Sequence, residues 1–198
     1  MQSILASGSD LTHRYRSFLG SIPGKVFVAV SATAFVAACA HISFSLPFTP
    51  VPLTLSNFAV LLVGLVLGPV AGFSAMVLYL AEGALGLPVF TPMTAPGAAH
   101  LIGPAAGYLF AYPLAAAIAG WAVRALHRVT SSFRAALVAS IAATIPIFAL
   151  GAFWLGHLLH LSGSAIWPLA VTPFLPGELI KVTAAAGIFT ALQRRHQS

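Results

Sequence analysis

One acid and one base lie close together in an otherwise apolar stretch near the end of the chain. The chain of 198 residues has three carboxylates, and one of them, Glu178, precedes Lys181 by three positions. At this spacing both side chains leave a helix on the same face. Two interpretations fit such a pair: a mutually neutralising ion pair that holds helices together, or a pair that lines a solute pocket. In a pocket, the carboxylate would accept hydrogen bonds from a ligand and the ammonium would donate them.

The composition is that of an integral membrane protein. Hydrophobic residues make up 59% of the chain, charged residues only 6%, and the mean hydropathy is +0.98. A soluble domain carries about 25% charged residues, so this chain has too little charge to cover a water-facing surface. Several apolar runs approach the length that crosses the ~30 Å core of a bilayer. They are continuous rather than alternating, which predicts helices and not barrel strands.

Clusters of Gly and Pro divide the chain into predicted membrane helices. The fold class is therefore an all-α bundle of six transmembrane helices, at about residues 24–45, 53–67, 70–87, 104–126, 133–159 and 173–192. The second and third helices are short, and we expect them to be tilted or broken. The predicted organisation is a cytoplasmic N-terminal tail over 1–23, a membrane domain over 24–193 and a basic cytoplasmic tail over 194–198. The first apolar run has spanning length and no small-residue cleavage pattern, so a removable signal peptide is not expected.

Basic residues fix the predicted orientation, because Lys and Arg remain on the cytoplasmic side of a membrane. With six helices, three clusters fall on one side and place both termini in the cytoplasm: Arg14, Arg16 and Lys25; Arg124, Arg128 and Arg134; Arg194 and Arg195. Lys181 lies outside these clusters. The net charge of +6 therefore matches anionic membrane lipids and does not call for nucleic acid.

Because the predicted sixth helix begins near Pro176, Glu178 and Lys181 fall in its outer third. A charge that faces hydrocarbon costs about 2.5 to 3.5 kcal/mol on insertion scales, so both side chains are expected to point into the bundle. Two external segments, 45–54 and 87–108, contain many Pro and Gly residues. Neither segment contains a charged residue (Lys, Arg, Asp or Glu). They are predicted to form a lid over a pocket, or else ordinary loops at the lipid interface.

Four ordered motifs resemble those of a known family. They are TPVPLTLSNFAVLLVGLVLGP (49–69), LYLAEGALGLPVF (78–90), GPAAGYLFAYPLAAAIAG (103–120) and PFLPGELIKVTAAAGI (173–188). Together they resemble the biotin-specific substrate-binding membrane subunit of bacterial energy-coupling-factor vitamin transporters, the BioY family. The resemblance implies a six-helix bundle in the bacterial inner membrane that captures biotin near the outer face. It also implies as partners a transmembrane coupling subunit and two cytoplasmic ATPase subunits. The chain lacks G-x-x-x-x-G-K-[ST], so ATP would be hydrolysed by the partners and no cofactor is expected here.

Biotin suits the residues that the motifs carry. Its ureido ring has two N–H donors and a carbonyl acceptor, so Glu178 would accept from the ring while Lys181 steadies Glu178 or donates to the ligand. The apolar rings and tail would pack on aromatic walls. The predicted substrate-binding residues are therefore Glu178, Lys181, Tyr108, Phe90, Tyr79 and Asn57. Tyr79 and Tyr108 are also typical of interfacial anchors, and Asn57 of hydrogen bonds between helices.

The first predicted helix carries small residues four apart, Ala34 and Ala38, which allow close helix approach. The resemblance implies that this face docks on the transmembrane coupling subunit; packing within the same bundle is the alternative.

Glu82, one turn after Tyr79, is either a third ionisable group in the pocket or an interfacial residue near the end of its helix.

Other functions leave weaker traces in the sequence. His157 and His160 have a spacing that suits a metal, but no acid or thiol is near them in sequence, so no metal site is predicted. Ser74 stands in a partial Gly-x-Ser-Gly motif of an intramembrane serine protease, yet the last helix has no His to act as a base, and no catalytic residue is predicted. A stand-alone biotin facilitator and a subunit for another small vitamin remain the alternatives.

Overall fold

The structure is a computed structural model that describes residues 21–195. Most of the predicted N-terminal tail, and the last three residues of the chain, lie outside this range. The described residues form the helices α1 (Ile22–His41), α2 (Ser56–Leu67), α3 (Pro69–Ala84), α4 (Ala106–Leu126), α5 (Ser132–Leu159), α6 (Gly163–Ala170) and α7 (Leu175–Arg195). Two short strands, β1 (Ser43–Phe44) and β2 (Leu53–Thr54), and two 3-10 turns, Gly97–Ile102 and Thr172–Phe174, complete the described elements.

Four helical stretches in the described part are long and apolar enough to cross a membrane. They are Ile22–His41, Ala106–Leu126, Ser132–Leu159 and the segment Gly163–Arg195, which joins α6, a 3-10 turn and α7. The apolar helices α2 and α3 have 12 and 16 residues, which is about 18 and 24 Å at 1.5 Å per residue. Both are shorter than the ~30 Å core of a bilayer.

The predicted helix limits are wrong at the connections. Residues 42–45 and 53–55, predicted as helix, belong to a connection in which β1 and β2 pair antiparallel, with Ser43 opposite Thr54. Prolines at positions 47, 50 and 52 lack an N–H and restrict the residue before them, so the helices end outside this segment. Likewise α3 ends at Ala84, just before Gly86, whose φ of 94° is left-handed. The helix α6 was not predicted.

The helices pack so that the C-terminus of one helix lies beside the N-terminus of the next. Helix α4 packs on α2, α3 and α5, while α7 packs on α5 and α2, and α1 packs on α2 and α3. Consecutive helices run antiparallel, because one cavity touches the ends of α1, α2, α4 and α7 near Ala40, Asn57, Tyr108 and Lys181, and another touches the opposite ends of α1 to α4 near Lys25, Leu67, Val70 and Arg124. One end of the bundle, here called the site end, therefore holds the C-termini of α1, α3 and α5 and the N-termini of α2, α4 and α7. The opposite end, the basic end, holds Lys25, Arg124, Arg128, Arg134, Arg194 and Arg195.

Close packing of α2 and α4 depends on glycine. A β-carbon on Gly64 would overlap the backbone of Ala116, and one on Gly120 would overlap the turn at Gly68. Small residues let two helix backbones approach closely in a membrane protein. This contact fixes α4, which carries two tyrosines of the candidate site, against α2.

Candidate solute-binding site

A small cavity lies at the site end of the bundle. Its volume is about 50 Å³, which is enough for a few water molecules. Side chains of six helices and of both long connections surround it. They are Ala40, Val51, Pro52, Thr54, Ser56, Asn57, Tyr79, Thr91, His100, Ala105, Tyr108, Leu109, Tyr112, Phe148, Phe174 and Lys181.

Glu178 and Lys181 form an ion pair at the edge of this cavity. Both lie near the start of α7, and Lys181 Nζ is 3.4 Å from Glu178 Oε2. Glu178 is 4% exposed and Lys181 is 7% exposed. Lys181 lines the cavity, whereas Glu178 lies behind it and borders a second groove between α5 and α7. Neither charge is in open contact with surrounding lipid, as the cost of a charge in hydrocarbon requires.

Glu178 accepts hydrogen bonds from two other helices. Asn57 Nδ2 of α2 donates to Oε2 at 3.3 Å. Thr144 Oγ1 of α5 shares its one hydrogen between Oε1 at 3.2 Å and the carbonyl of Ser140 at 3.0 Å. With Lys181, three donors therefore converge on one buried carboxylate. Buried charge is tolerated when it is paired and hydrogen-bonded, and here the donors also tie α2 and α5 to α7.

A row of hydroxyl groups leads to this carboxylate. Tyr112 Oη donates to Asn57 Oδ1 at 3.0 Å, Ser56 Oγ lies 2.7 Å from Tyr112 Oη, and Thr54 Oγ1 lies 2.6 Å from Ser56 Oγ. A hydroxyl has one hydrogen. Because Tyr112 directs its hydrogen to Asn57, Ser56 must donate to Tyr112 and Thr54 to Ser56. All the bonds of the row therefore point one way, from Thr54 to the carboxylate.

The predicted aromatic residues have separate positions. Tyr79 lines the cavity and its hydroxyl donates to the carbonyl of Val89 at 2.8 Å. Phe90 is not among the lining residues; its ring packs behind Tyr79, with ring centroids 5.4 Å apart. Tyr108 also lines the cavity, and its hydroxyl donates to the carbonyl of Ala170 in α6 at 2.7 Å. The structure thus brings Asn57, Tyr79, Tyr108 and Lys181 to the cavity wall, with Phe90 and Glu178 directly behind it.

The connection between α3 and α4 covers the cavity with two buried polar side chains. Thr91 and His100 line the cavity, and Thr91 Oγ1 donates to Ser43 Oγ of β1 at 2.9 Å. His100 contacts Thr94 Oγ1 at 2.6 Å through Nδ1. Burial lowers the pKa of the His100 imidazole, and its hydrogen bond to the carbonyl of Ala95 opposes this only in part.

Sequence reasoning missed Tyr112, Thr144, Thr54 and His100. Tyr112 follows Tyr108 by one helical turn, and that spacing could have identified it as a residue on the same face. Thr144 stands in an apolar run of α5 with no local pattern around it. Its role follows only from the packing of α5 on α7.

The remaining candidates lie away from the cavity. Glu82 lies two residues before the end of α3 and does not line the cavity. It accepts a hydrogen bond from Thr33 of α1 at 3.1 Å. Ala34 and Ala38 are exposed on α1. Their face of the helix is therefore uncovered within the described part of the bundle.

Comparison with known proteins places the chain in a family. The model of the BioY family matches residues 14–198. The chain belongs to the BioY family. The protein described as a probable biotin transporter BioY from Pyrococcus horikoshii is 38% identical over 168 residues, which are 85% of this chain and 92% of that protein. The biotin transporter BioY from Thermotoga maritima is also 38% identical, over 82% of this chain and 91% of that protein.

The fold has counterparts among solved structures. The S-component for biotin from an ECF-type ABC transporter superposes with a TM-score of 0.78 at 25% identity, covering 86% of this chain and 90% of that one. The S component of another bacterial ECF transporter gives a TM-score of 0.51 at 21% identity. Together with the four apolar helical stretches, these relatives identify a membrane protein.

Proposed function

We propose that this BioY-family chain binds biotin and serves as the substrate-binding subunit of an energy-coupling-factor transporter. The relatives are described as biotin transporters, and the superposed crystal structure as the S-component for biotin. The similarity to these proteins supports a transport role rather than an enzymatic one. The observation that carries the proposal is the buried cluster of carboxylate, amide and ammonium that borders the cavity, built from Glu178, Asn57 and Lys181.

The chemistry of the cluster suits a ureido ring. The two ring N–H groups would donate to a hydroxyl of the row and, once the opening of the cavity exposes it, to the Glu178 carboxylate, since both are acceptors. The ring carbonyl would accept from Lys181, of whose three N–H bonds the one described bond to Glu178 uses one. Tyr79 and Tyr108 would supply the apolar walls for the rings and tail.

Entry of biotin requires the cavity to open. Sites for ligands of drug size have volumes of about 300 to 1,000 Å³, far above the about 50 Å³ of this cavity. The connection over residues 85–105 carries Thr91 and His100 on its inner side and is joined to β1 by the Thr91 to Ser43 bond. We therefore assign it the role of a lid that moves away before the ligand enters.

The membrane arrangement that we propose has six spanning helices, α1 to α5 and α7, with both termini in the cytoplasm. The gathering of basic side chains at one end supports this orientation, since that end would remain on the cytoplasmic side of the bacterial inner membrane. The site end then faces outward. The glycine-dependent packing of α2 on α4 would hold the short helices α2 and α3 inside the bundle.

The proposed partners are a transmembrane coupling subunit and two cytoplasmic ATPase subunits, which would hydrolyse ATP. The exposed face of α1 with Ala34 and Ala38 would dock on the coupling subunit, because small side chains permit a close helix contact. This face is separate from the cavity at the site end.

Calorimetric titration of the detergent-purified chain with biotin tests the proposed ligand. We expect saturable binding by the unchanged protein and a loss of about 10- to 150-fold in affinity for Glu178→Gln, which corresponds to one charge-assisted hydrogen bond. The matched control is Glu82→Gln, which removes the other described carboxylate away from the cavity and should alter the affinity less than twofold. Absence of binding by the unchanged protein would exclude biotin as the ligand; equal losses in both variants would exclude this cluster as the site.

A further inference from the structure

A second cavity, of about 510 Å³, opens at the basic end of the bundle. It lies at the opposite end of the helices from Glu178 and Lys181. Its lining combines apolar side chains with two cations and a hydroxyl: Lys25, Val28, Ala29, Leu67, Val70, Ala71, Ser74 and Arg124. These residues come from α1, the end of α2, the first turns of α3 and the last turn of α4.

Lys25 is on the side of α1 that faces the bundle. It lies seven residues before Ala32 and eleven before Val36, both of which are buried, and these spacings keep all three on one helical face. Lys25, although exposed, lines the cavity and lies on the helical face opposite Ala34.

Arg124 reaches the same cavity from α4. Its guanidinium lies against Gly68, whose φ is 86°, and one N–H of Nη2 donates to the carbonyl of Leu67 at 3.3 Å. A β-carbon at Gly68 would overlap this guanidinium. The exposed Arg124 side chain thus contacts the turn between α2 and α3, and the described bond uses one of its five N–H donors.

No carboxylate balances these two cations within residues 21–195. The acidic side chains in that range are Glu82, which is bonded to Thr33 near the site end, and Glu178, which is paired with Lys181. Two like charges that line one cavity repel each other, and an anion bound between them would offset this repulsion. The described contacts therefore leave a site with two cations and no counter-charge.

We propose that this cavity binds the phosphate group of an anionic phospholipid. Lys25 and Arg124 supply the charge, Arg124 in the planar form that suits phosphate oxygens, and the Ser74 hydroxyl adds a donor. The apolar side chains of Val28, Leu67 and Val70 give the walls against which the first part of the acyl chains packs. A site with a cationic end and apolar walls favours a lipid over free phosphate, which has no apolar part.

Native mass spectrometry of the full-length, delipidated protein tests this site. The protein is titrated with a phosphatidylglycerol and, separately, with a phosphatidylcholine of the same acyl chains. We expect clearly tighter binding of phosphatidylglycerol, and about a fivefold loss of that preference for each cation removed, in Lys25→Gln and in Lys25→Gln/Arg124→Gln. Lys25→Gln leaves the Arg124 contact with Leu67 intact, so its result does not depend on that turn.

The matched control is Arg128→Gln/Arg134→Gln, which removes two charges from the same end but none from the cavity wall. It should retain the preference for phosphatidylglycerol. Equal binding of the two lipids, or an equal loss in the control, would overturn the proposal. Inorganic phosphate is the third arm: displacement of phosphatidylglycerol by millimolar phosphate would show a free-phosphate site and refute the assignment to a lipid.

Discussion

The two interpretations of the Glu178 and Lys181 pair can be separated by removing one charge or both. In Lys181→Met the carboxylate remains buried without its cation. In Glu178→Gln/Lys181→Met both charges are absent, while the side chains keep similar volumes. If the pair served only to hold helices together, biotin binding would follow folding in both variants. If the pair also forms the ligand site, folding and binding will separate.

The structure sets the size of the expected effects. Breaking a buried ion pair destabilises a protein by about 3 to 5 kcal/mol, whereas replacing both partners with neutral groups is often neutral or stabilising. In Lys181→Met, Asn57 and Thr144 still donate to Glu178, so we expect the lower limit, about 3 kcal/mol. At about 2 to 4 °C for each kcal/mol in a chain of this size, the melting temperature should fall by about 6 to 12 °C.

Thermal unfolding in detergent, followed by tryptophan fluorescence, measures the stability, and biotin calorimetry measures the site. The double variant should melt within about 2 °C of the unchanged protein and yet fail to bind biotin. The matched control is Arg134→Met, which removes an exposed cation at the basic end and should change the unfolding free energy by less than about 0.5 kcal/mol.

Two results would refute this reasoning. A double variant that melts as low as Lys181→Met would show that the cost does not come from an unpaired charge. A double variant that binds biotin with unchanged affinity would show that the pair is a helix contact and no part of the ligand site.

Three further predictions concern separate features. Thr144→Val removes one donor from the buried carboxylate and should lower the unfolding free energy by about 1 kcal/mol, measured as a fall of about 2 to 4 °C in melting temperature. The control is Thr183→Val, which should have a smaller effect because Thr183 is exposed and bonded only within its own helix. The pKa of His100 is lowered in the folded protein, so the unfolded chain binds the proton first as pH falls below about 6.5. The melting temperature should therefore drop from pH 7 to pH 5, and it should drop less steeply in His100→Gln. Identical pH profiles of the unchanged protein and this variant would contradict the prediction. Ala34→Leu/Ala38→Leu should leave biotin binding and melting unchanged because both positions are exposed, and should abolish co-purification with the coupling subunit; an intact complex would rule out this docking face.

Apolar continuity was enough to predict an all-helical protein, because lipid admits few other backbone structures. The same signal failed at the connections. Residues 42–45 are as apolar as a helix end, but they belong to a connection in which β1 pairs with β2, and the prolines that follow cannot continue a helix. Helix α6 escaped prediction for the opposite reason: Gly163 and Pro168 lie inside it, and both residues are typical of loops.

The site was predicted only as far as unusual residues reveal it. Charge in an apolar run is rare, so Glu178 and Lys181 are visible in the sequence, and Asn57 is visible for a similar reason. Thr144 is not, since a threonine in a membrane helix usually bonds to its own backbone, as Thr144 also does with the carbonyl of Ser140. Its contact with the carboxylate depends on how α5 rotates against α7, and no local pattern encodes that angle.

The one-way row from Thr54 to Glu178 has a consequence for selectivity. Since Thr54, Ser56 and Tyr112 each direct their only hydrogen along the row, an arriving molecule meets lone pairs on that wall. A compound with N–H groups at this position would donate hydrogen bonds to these lone pairs, whereas a similar compound with carbonyl oxygens there would be repelled by them. We therefore expect this wall to favour heterocycles that present N–H groups over those of the same shape that present carbonyl oxygens.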